Sequence, residues 1–408
     1  MRSPQAPSRA SQASRAPRSA RLLGMAAMAA AIGLLASGCT SAGGDGAGSA
    51  TDPTAPEVTR PAAPDGELPA ELQDGLQAAL DAVMAELEVP GAAAGVWIPG
   101  QGSWTTATGL ANVEDGTPVT TDMSWPIRSI TKSYTVTLIL QLADEGKLSL
   151  DDTIDQYVEG ITNGDRITLL QLANMSSGNA DYVTEAFQDE FLSDPTKIYT
   201  LEELNAPVVD QPARFEPGAE YLYTNANTNL LGAVVEKVTG EPYADALDAR
   251  ILTPLGQTGT TYLTDVDDWA QPHPTGYVID DGKPVVQSEN PSILGAAGSL
   301  FSTLEDGRAW AETLGSGSLL KPETQELRQV GHEIPKPPYD LYAVGMGETN
   351  GWLGHNGEGL GFTAATFHDP ATGASIVVYM NESDSPAGHP ADIAFRALAE
   401  VLANGAGA

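Results

Sequence analysis

Ser129 and Lys132 stand three residues apart in Trp125-Pro126-Ile127-Arg128-Ser129-Ile130-Thr131-Lys132, and Leu138, Leu142 and Leu148 continue a helical pattern behind them. Ser129 is therefore expected at a helix N-terminus, with Lys132 one turn on and on the same face. A serine hydroxyl is a poor nucleophile until a base takes its proton. A lysine can be that base when desolvation and nearby positive charge lower its pKa, and the positive end of the helix favours a developing oxyanion. The chemistry within reach is acyl transfer through a covalent serine adduct.

Spacing alone does not carry that reading, because Ser318-Leu319-Leu320-Lys321 has it too. Pro322 separates the two: the residue before a proline is pushed out of helical geometry, so the second copy is expected in a loop. Downstream, Tyr223-Thr224-Asn225 follows a Pro217-Gly218 turn and leads into an apolar run through Leu230, Leu231, Val234 and Val235. Tyr379-Met380-Asn381 repeats its spacing at a strand end, where a buried tyrosine simply satisfies one hydrogen bond. His355-Asn356-Gly357 lies on a predicted strand.

In chain order, Ser129-x-x-Lys132, Tyr223-x-Asn225 and His355-Asn356-Gly357 resemble the three motifs of the serine β-lactamase and D,D-peptidase superfamily, particularly its class C and D-alanyl-D-alanine carboxypeptidase branch. Residues 141–152, 218–240 and 354–381 are similar to that family's connecting segments, so the likeness covers about residues 70–403. The resemblance implies Tyr223 as a phenol or phenolate relaying protons, Asn225 positioning Lys132 and the substrate amide, and His355 completing the polar edge of the cleft. It also implies an oxyanion hole from the backbone N–H groups of Ser129 and Glu358. Asn356 stands where the family commonly has Thr, removing one expected carboxylate contact. Arg128 stands where members often have a small residue; it either holds a substrate carboxylate or points outward as a solvated charge.

The elements that must carry these residues are legible from periodicity. Leu68, Leu72, Leu76, Leu80, Val83 and Leu87 recur every three or four positions and predict an amphipathic helix. Residues 92–98 and 103–108 flank Gly100-Gln101-Gly102 and predict a strand hairpin; residues 351–354, 362–367 and 375–380 predict three more strands, and 393–402 a final helix. A long helical region is expected from Ile130 to about Ala311. The fold class is α+β: an antiparallel sheet built from both chain ends, flanked by N- and C-terminal helices, with a large helical insertion of the β-lactamase/transpeptidase-like kind.

The first 38 residues are a different object, holding five arginines and no acid, then an apolar run and small residues before Cys39. That is the layout of an export signal. Leu35-Ala36-Ser37-Gly38-Cys39 resembles the lipobox of bacterial lipoproteins, in which the cysteine is lipidated; a plain secretory signal is the other reading. The expected organisation is a signal peptide over 1–38, lipidated Cys39 with a disordered tether over 39–66, and a hydrolase domain over 67–404. Cys39 is the only cysteine, so no disulfide forms within the chain.

A net charge of −34 over 408 residues excludes a nucleic-acid surface. No phosphate loop, paired cysteine or His-Glu-x-x-His is present, so no metal or cofactor is indicated. The expected partners are a cell-wall peptide or small acyl substrate, and the membrane through the lipid at Cys39, on the outer face of the cytoplasmic membrane. The first function expected is a D-alanyl-D-alanine carboxypeptidase-like enzyme. Alternatives are a β-lactamase-like esterase or D-amino-acid amidase, a class C-like β-lactamase, and, from another class, a silent wall-binding lipoprotein.

Overall fold

The computed structural model describes residues 58–280, 282–287, 290–334 and 338–405; the expected signal peptide, Cys39 and most of the tether lie outside them. Both chain ends do build one sheet. Its strands in chain order are β1 (Gly91–Ile98), β2 (Gly102–Asn112), β3 (Thr117–Pro118), β4 (His332–Glu333), β5 (Leu341–Tyr342), β6 (Gly347–Thr349), β7 (Trp352–Gly359), β8 (Phe362–His368) and β9 (Ser375–Met380). They lie in the order β3-β2-β1-β9-β8-β7-β6-β5-β4, every neighbouring pair antiparallel. The join between the ends is β1 on β9, with Ala94 opposite Val378.

Alternation in the central strands divides the interior in two, because successive side chains leave opposite faces. Ile376, Val378 and Met380 of β9 pack with Leu76, Leu80 and Leu87 of α1 (Ala70–Leu87) and with Ala394, Phe395 and Leu398 of α5 (Pro390–Gly405). Val377 and Tyr379, one residue out of phase, face the other core with Ala364 of β8. That second core is filled by α2 (Thr131–Asp144), α3 (Asn225–Thr239) and α4 (Leu304–Ser316). The sheet is thus a buried wall with the helical region against one face.

Two expectations need correction. The region expected to be helical also contains strands, at Thr261–Tyr262, Gly276–Asp280, Lys283–Gln287 and Leu300–Ser302. Lys283-Pro284-Val285-Val286-Gln287 is a mostly exposed hairpin arm, so it lacks the apolar-in, polar-out signature by which a strand is recognised. The tether expected to stay unfolded through Gly66 is tied to the domain from Arg60, whose guanidinium donates to Asp306 Oδ1 at 2.7 Å and to the Gly256 carbonyl at 2.9 Å. Arg308 returns a bond to the Pro61 carbonyl at 2.7 Å. A lone arginine in a polar stretch carries no sequence signal of such a distant partner.

Candidate active site

Trp125-Pro126 pairs with Phe301-Ser302, and Ile127 N–H donates to the Leu300 carbonyl at 2.9 Å, so the chain enters the serine turn along a fixed rail. Arg128 then takes a positive φ of 49°, and Arg128–Ile130 form one 3₁₀ turn that runs into α2. Ser129 therefore sits on a tight turn just before the α-helix rather than on its first residue. β7 packs directly against this turn at Gly357. A Cβ there would lie 2.3 Å from the Ile127 carbonyl and 2.9 Å from Ser129 N, which only glycine avoids. Glu358, the next residue, lines the same cleft as Ser129.

Lys132 is 0% exposed. Its Nζ contacts Ser129 Oγ at 2.9 Å, Asn225 Oδ1 at 2.7 Å and the Ala297 carbonyl at 2.9 Å. Burial pulls its pKa from 10.5 to about 7, with the Asp181 carboxylate holding it up against that pull. Neutral Lys132 has two N–H bonds and one lone pair. The amide and carbonyl oxygens can only accept, so they take the two hydrogens and leave the lone pair for the Ser129 proton.

Tyr223 and Asn225 straddle Thr224, which caps α3 by accepting from Asn227 N–H. The Tyr223 ring lies beside the lysine, with Nζ 4.9 Å from its centroid. Burial drives the phenol well above its ordinary pKa while its bond to Ser129 works the other way, so at neutral pH Tyr223 is a phenol and not the phenolate. Asn225 is held by its own backbone, whose N–H donates to Asp181 Oδ2 at 3.1 Å. A cleft of about 900 Å³ opens onto Ser129, Tyr223, Asn225, Tyr339, Asn356 and Glu358, and is also lined by His389, Asp392 and Arg396.

Two sequence expectations change. His355 is 0% exposed and does not line the cleft: its ring packs 6.3 Å from that of Tyr223, with Nε2 3.2 Å from Tyr342 Oη. On β7 its side chain leaves the sheet on the face opposite Asn356. It supports the tyrosine instead of completing the polar edge, and burial, then Lys132, lowers its pKa to about 3, so it is neutral. Arg128 neither reaches the cleft nor points to water. It is 4% exposed, donates to the Gly359 carbonyl at 3.0 Å, and stacks 5.5 Å from the centre of the Phe362 ring. Its positive φ turns the side chain inward, where it holds β7's end against the serine turn.

Ser318 and Lys321 are apart from the site: Lys321 caps the helix Pro322–Arg328 with extended backbone and bonds Asp144. Sequence reasoning missed Asp181, Ala297, Tyr339 and Tyr342. Asp181 ends a polar Ser-Ser-Gly-Asn-Ala-Asp run, and Tyr339 and Tyr342 are two aromatics three apart before β6, signals that are visible only once their neighbours are known.

The sequence model of the family described as Beta-lactamase matches residues 76–401. The chain belongs to the Beta-lactamase family. Protein flp of Staphylococcus aureus is 26% identical to this family member over 287 residues, 68% of this chain and 55% of that one. Esterase EstB of Burkholderia gladioli is 29% identical over 227 residues, 53% and 56% of the two chains. The chain thus spans about half the length of the curated relatives it matches. A D-stereospecific amidohydrolase from Streptomyces sp. superposes with a TM-score of 0.68 at 31% identity, covering 76% of this chain and 94% of that one.

Proposed function

We propose that this chain is an amidohydrolase that transfers the acyl group of small amides or esters, D-amino-acid amides foremost, to water through Ser129. Lys132 takes the Ser129 proton as Oγ attacks the carbonyl carbon. The oxyanion is met by the backbone N–H groups of Ser129 and Glu358, and Tyr223 passes a proton to the departing amine or alcohol. Water, activated by the same pair, then releases the acid.

The choice of amide over carboxypeptide rests on the charges around the cleft. Among the described residues lining it, only Arg396 is cationic, and its Nε already donates to Asp392 Oδ2 at 2.8 Å and its Nη2 to the Pro338 carbonyl. Glu358 and Asp392 supply negative charge. A free terminal carboxylate, as on D-Ala-D-Ala, would enter against that balance, whereas an ammonium, a carboxamide or an ester would not. The names of the amidohydrolase and esterase relatives agree with this reading. Carboxypeptidase action keeps one point in its favour, since Arg396 released from Asp392 would become a carboxylate partner.

The test compares D-phenylalanine amide, p-nitrophenyl acetate, D-Ala-D-Ala peptide and a penicillin with the purified chain and its Ser129→Ala variant. Ser129-dependent turnover of the amide and ester, exceeding that of the free-acid peptide, is expected; a preference for the peptide would reverse the assignment. The N-terminal sequence supports the further inference that the enzyme is exported and held at the membrane by lipid on Cys39. Metabolic palmitate labelling that survives in Cys39→Ala would contradict it.

A further inference from the structure

Neutral Lys132 gives its two hydrogens to Asn225 Oδ1 and the Ala297 carbonyl, and those two bonds together leave its lone pair to Ser129. Asn225 brings the first acceptor with its own side chain, as the first residue of α3. The second belongs to the main chain at a turn distant in sequence. That turn has to be held against the lysine.

Two side chains hold it, one from the helix that carries Lys132 and one from the helix that carries Asn225. Thr135 of α2 donates its hydroxyl to the Ala296 carbonyl at 2.6 Å. Asn229 of α3 accepts the Ala297 N–H at Oδ1, 3.2 Å away. A backbone N–H only donates, so the amide oxygen of Asn229 must be the atom that meets it. The Ala296 C=O and the Ala297 N–H are opposite ends of one planar peptide group. The two bonds therefore fix its plane, and the next carbonyl along, that of Ala297, meets Lys132 Nζ at 2.9 Å. Thr135, Asn229, Ala296 and Ala297 are all buried. The approach is close: a Cβ on Gly295, whose φ is 52°, would lie 2.8 Å from Asn229 Oδ1. Asn229 stands four residues after Asn225 and so on the same face of α3. One face of that helix thus sets both of the lysine's acceptors.

We propose that Asn229 is a positioning residue for the base: by holding the Ala296–Ala297 peptide it places the Ala297 carbonyl on Lys132 Nζ, which turns the lone pair toward Ser129. It touches neither the substrate nor the reacting atoms. The proposal rests on the acyl-transfer reading of Ser129 and Lys132 and adds to it what orients the base.

The test is the pH profile of kcat/KM for p-nitrophenyl acetate, measured on the whole chain and on Asn229→Leu, which keeps the side chain's bulk and loses its acceptor. Asp181, Tyr223 and His355 are the titratable groups around Lys132, and the change leaves all three in place. A carbonyl oxygen on Nζ favours the ammonium over the amine. Its loss is expected to move the acid limb to lower pH by about one unit, the size of one hydrogen bond to a charged group. In the same variant kcat should fall roughly 10- to 100-fold as the lone pair loses its direction, with KM little changed. Looser packing alone would act the other way, because water admitted to the lysine relieves the burial that depresses its pKa. A limb that stays fixed or moves upward overturns the proposal. If Asn229→Leu fails to fold, Thr135→Val frees the other end of the same peptide; the same downward shift is expected there, and its absence overturns the proposal equally. If the unaltered enzyme shows Ser129-dependent turnover and the limb does not move downward in the variant, only this proposal falls. If Ser129-dependent turnover is absent, the acyl-transfer reading falls with it.

Discussion

Lys132 Nζ stands 2.9 Å from Ser129 Oγ, while its two other neighbours, Asn225 Oδ1 and the Ala297 carbonyl, can only accept hydrogen bonds. The neutral amine has one place to point its lone pair. Because burial brings the Lys132 pKa down to about 7, the base is formed as pH rises through neutrality. The kcat/KM profile should therefore climb across an acid limb centred near 7. Asp181 opposes the pull of burial, so Asp181→Asn should move that limb to lower pH. A pH-rate series on both proteins checks this, and a limb that stays fixed or moves upward would separate Asp181 from the base.

Tyr223 is a phenol held above its usual pKa by burial, and it lies beside both Ser129 and Lys132. Tyr223→Phe should lower kcat by roughly 10²- to 10⁴-fold, the range for loss of a general acid–base group, with little change in KM. Steady-state kinetics on an amide with a poor leaving group show the effect best. An ester with a good leaving group should suffer less.

Glu382 is 1% exposed, and neither carboxyl oxygen has a hydrogen-bond partner among the described residues. Burial, then Glu358 and Asp384, raises its pKa to about 8. The folded chain keeps a proton that the unfolded chain has released between its ordinary pKa of 4.5 and about 8, so stability falls as pH rises through that window. Glu382→Gln removes the titration. Its Tm relative to the unaltered protein should rise between pH 5 and pH 8.5, as measured by calorimetry.

Arg60 is bonded to Asp306, whose other oxygen accepts from Gly259 N–H at 2.8 Å. Arg60→Ala should cost about 1.5–3 kcal/mol of stability, the range for hydrogen bonds to charged groups. Combined with Asp306→Ala, the loss should be less than additive in urea unfolding, because both changes break one contact. Full additivity would mean that the Arg60–Asp306 contact contributes nothing to stability.

Much of this fold can be read from periodicity, and the reasons are local. Val377 and Tyr379 alternate with Ile376, Val378 and Met380, and the leucine stripe of α1 repeats at helical spacing, so β9 and α1 announce themselves. The short strands β4, β5 and β6 do not, because two or three residues carry no period. Ser129, Lys132, Tyr223 and Asn225 were legible because hydroxyl, amine, phenol and amide fall in a recurring order, and the structure brings all four together. Arg128 was not, since the 49° φ that turns it inward has no sequence signature in a non-glycine residue. Nor was the burial of His355, which depends on Tyr339 and Tyr342 arriving from another part of the sheet. Partners distant in sequence decide what a polar side chain does.

The central claim is that Ser129 carries the acyl group. Rapid mixing with excess p-nitrophenyl acetate, acid quenching and intact-mass measurement tests it most directly. One acetyl adduct per chain is expected, mapping to the peptide that contains Ser129, appearing with a stoichiometric burst of p-nitrophenolate and absent from Ser129→Ala. The same adduct and burst in Ser129→Ala, or turnover with neither, would contradict it.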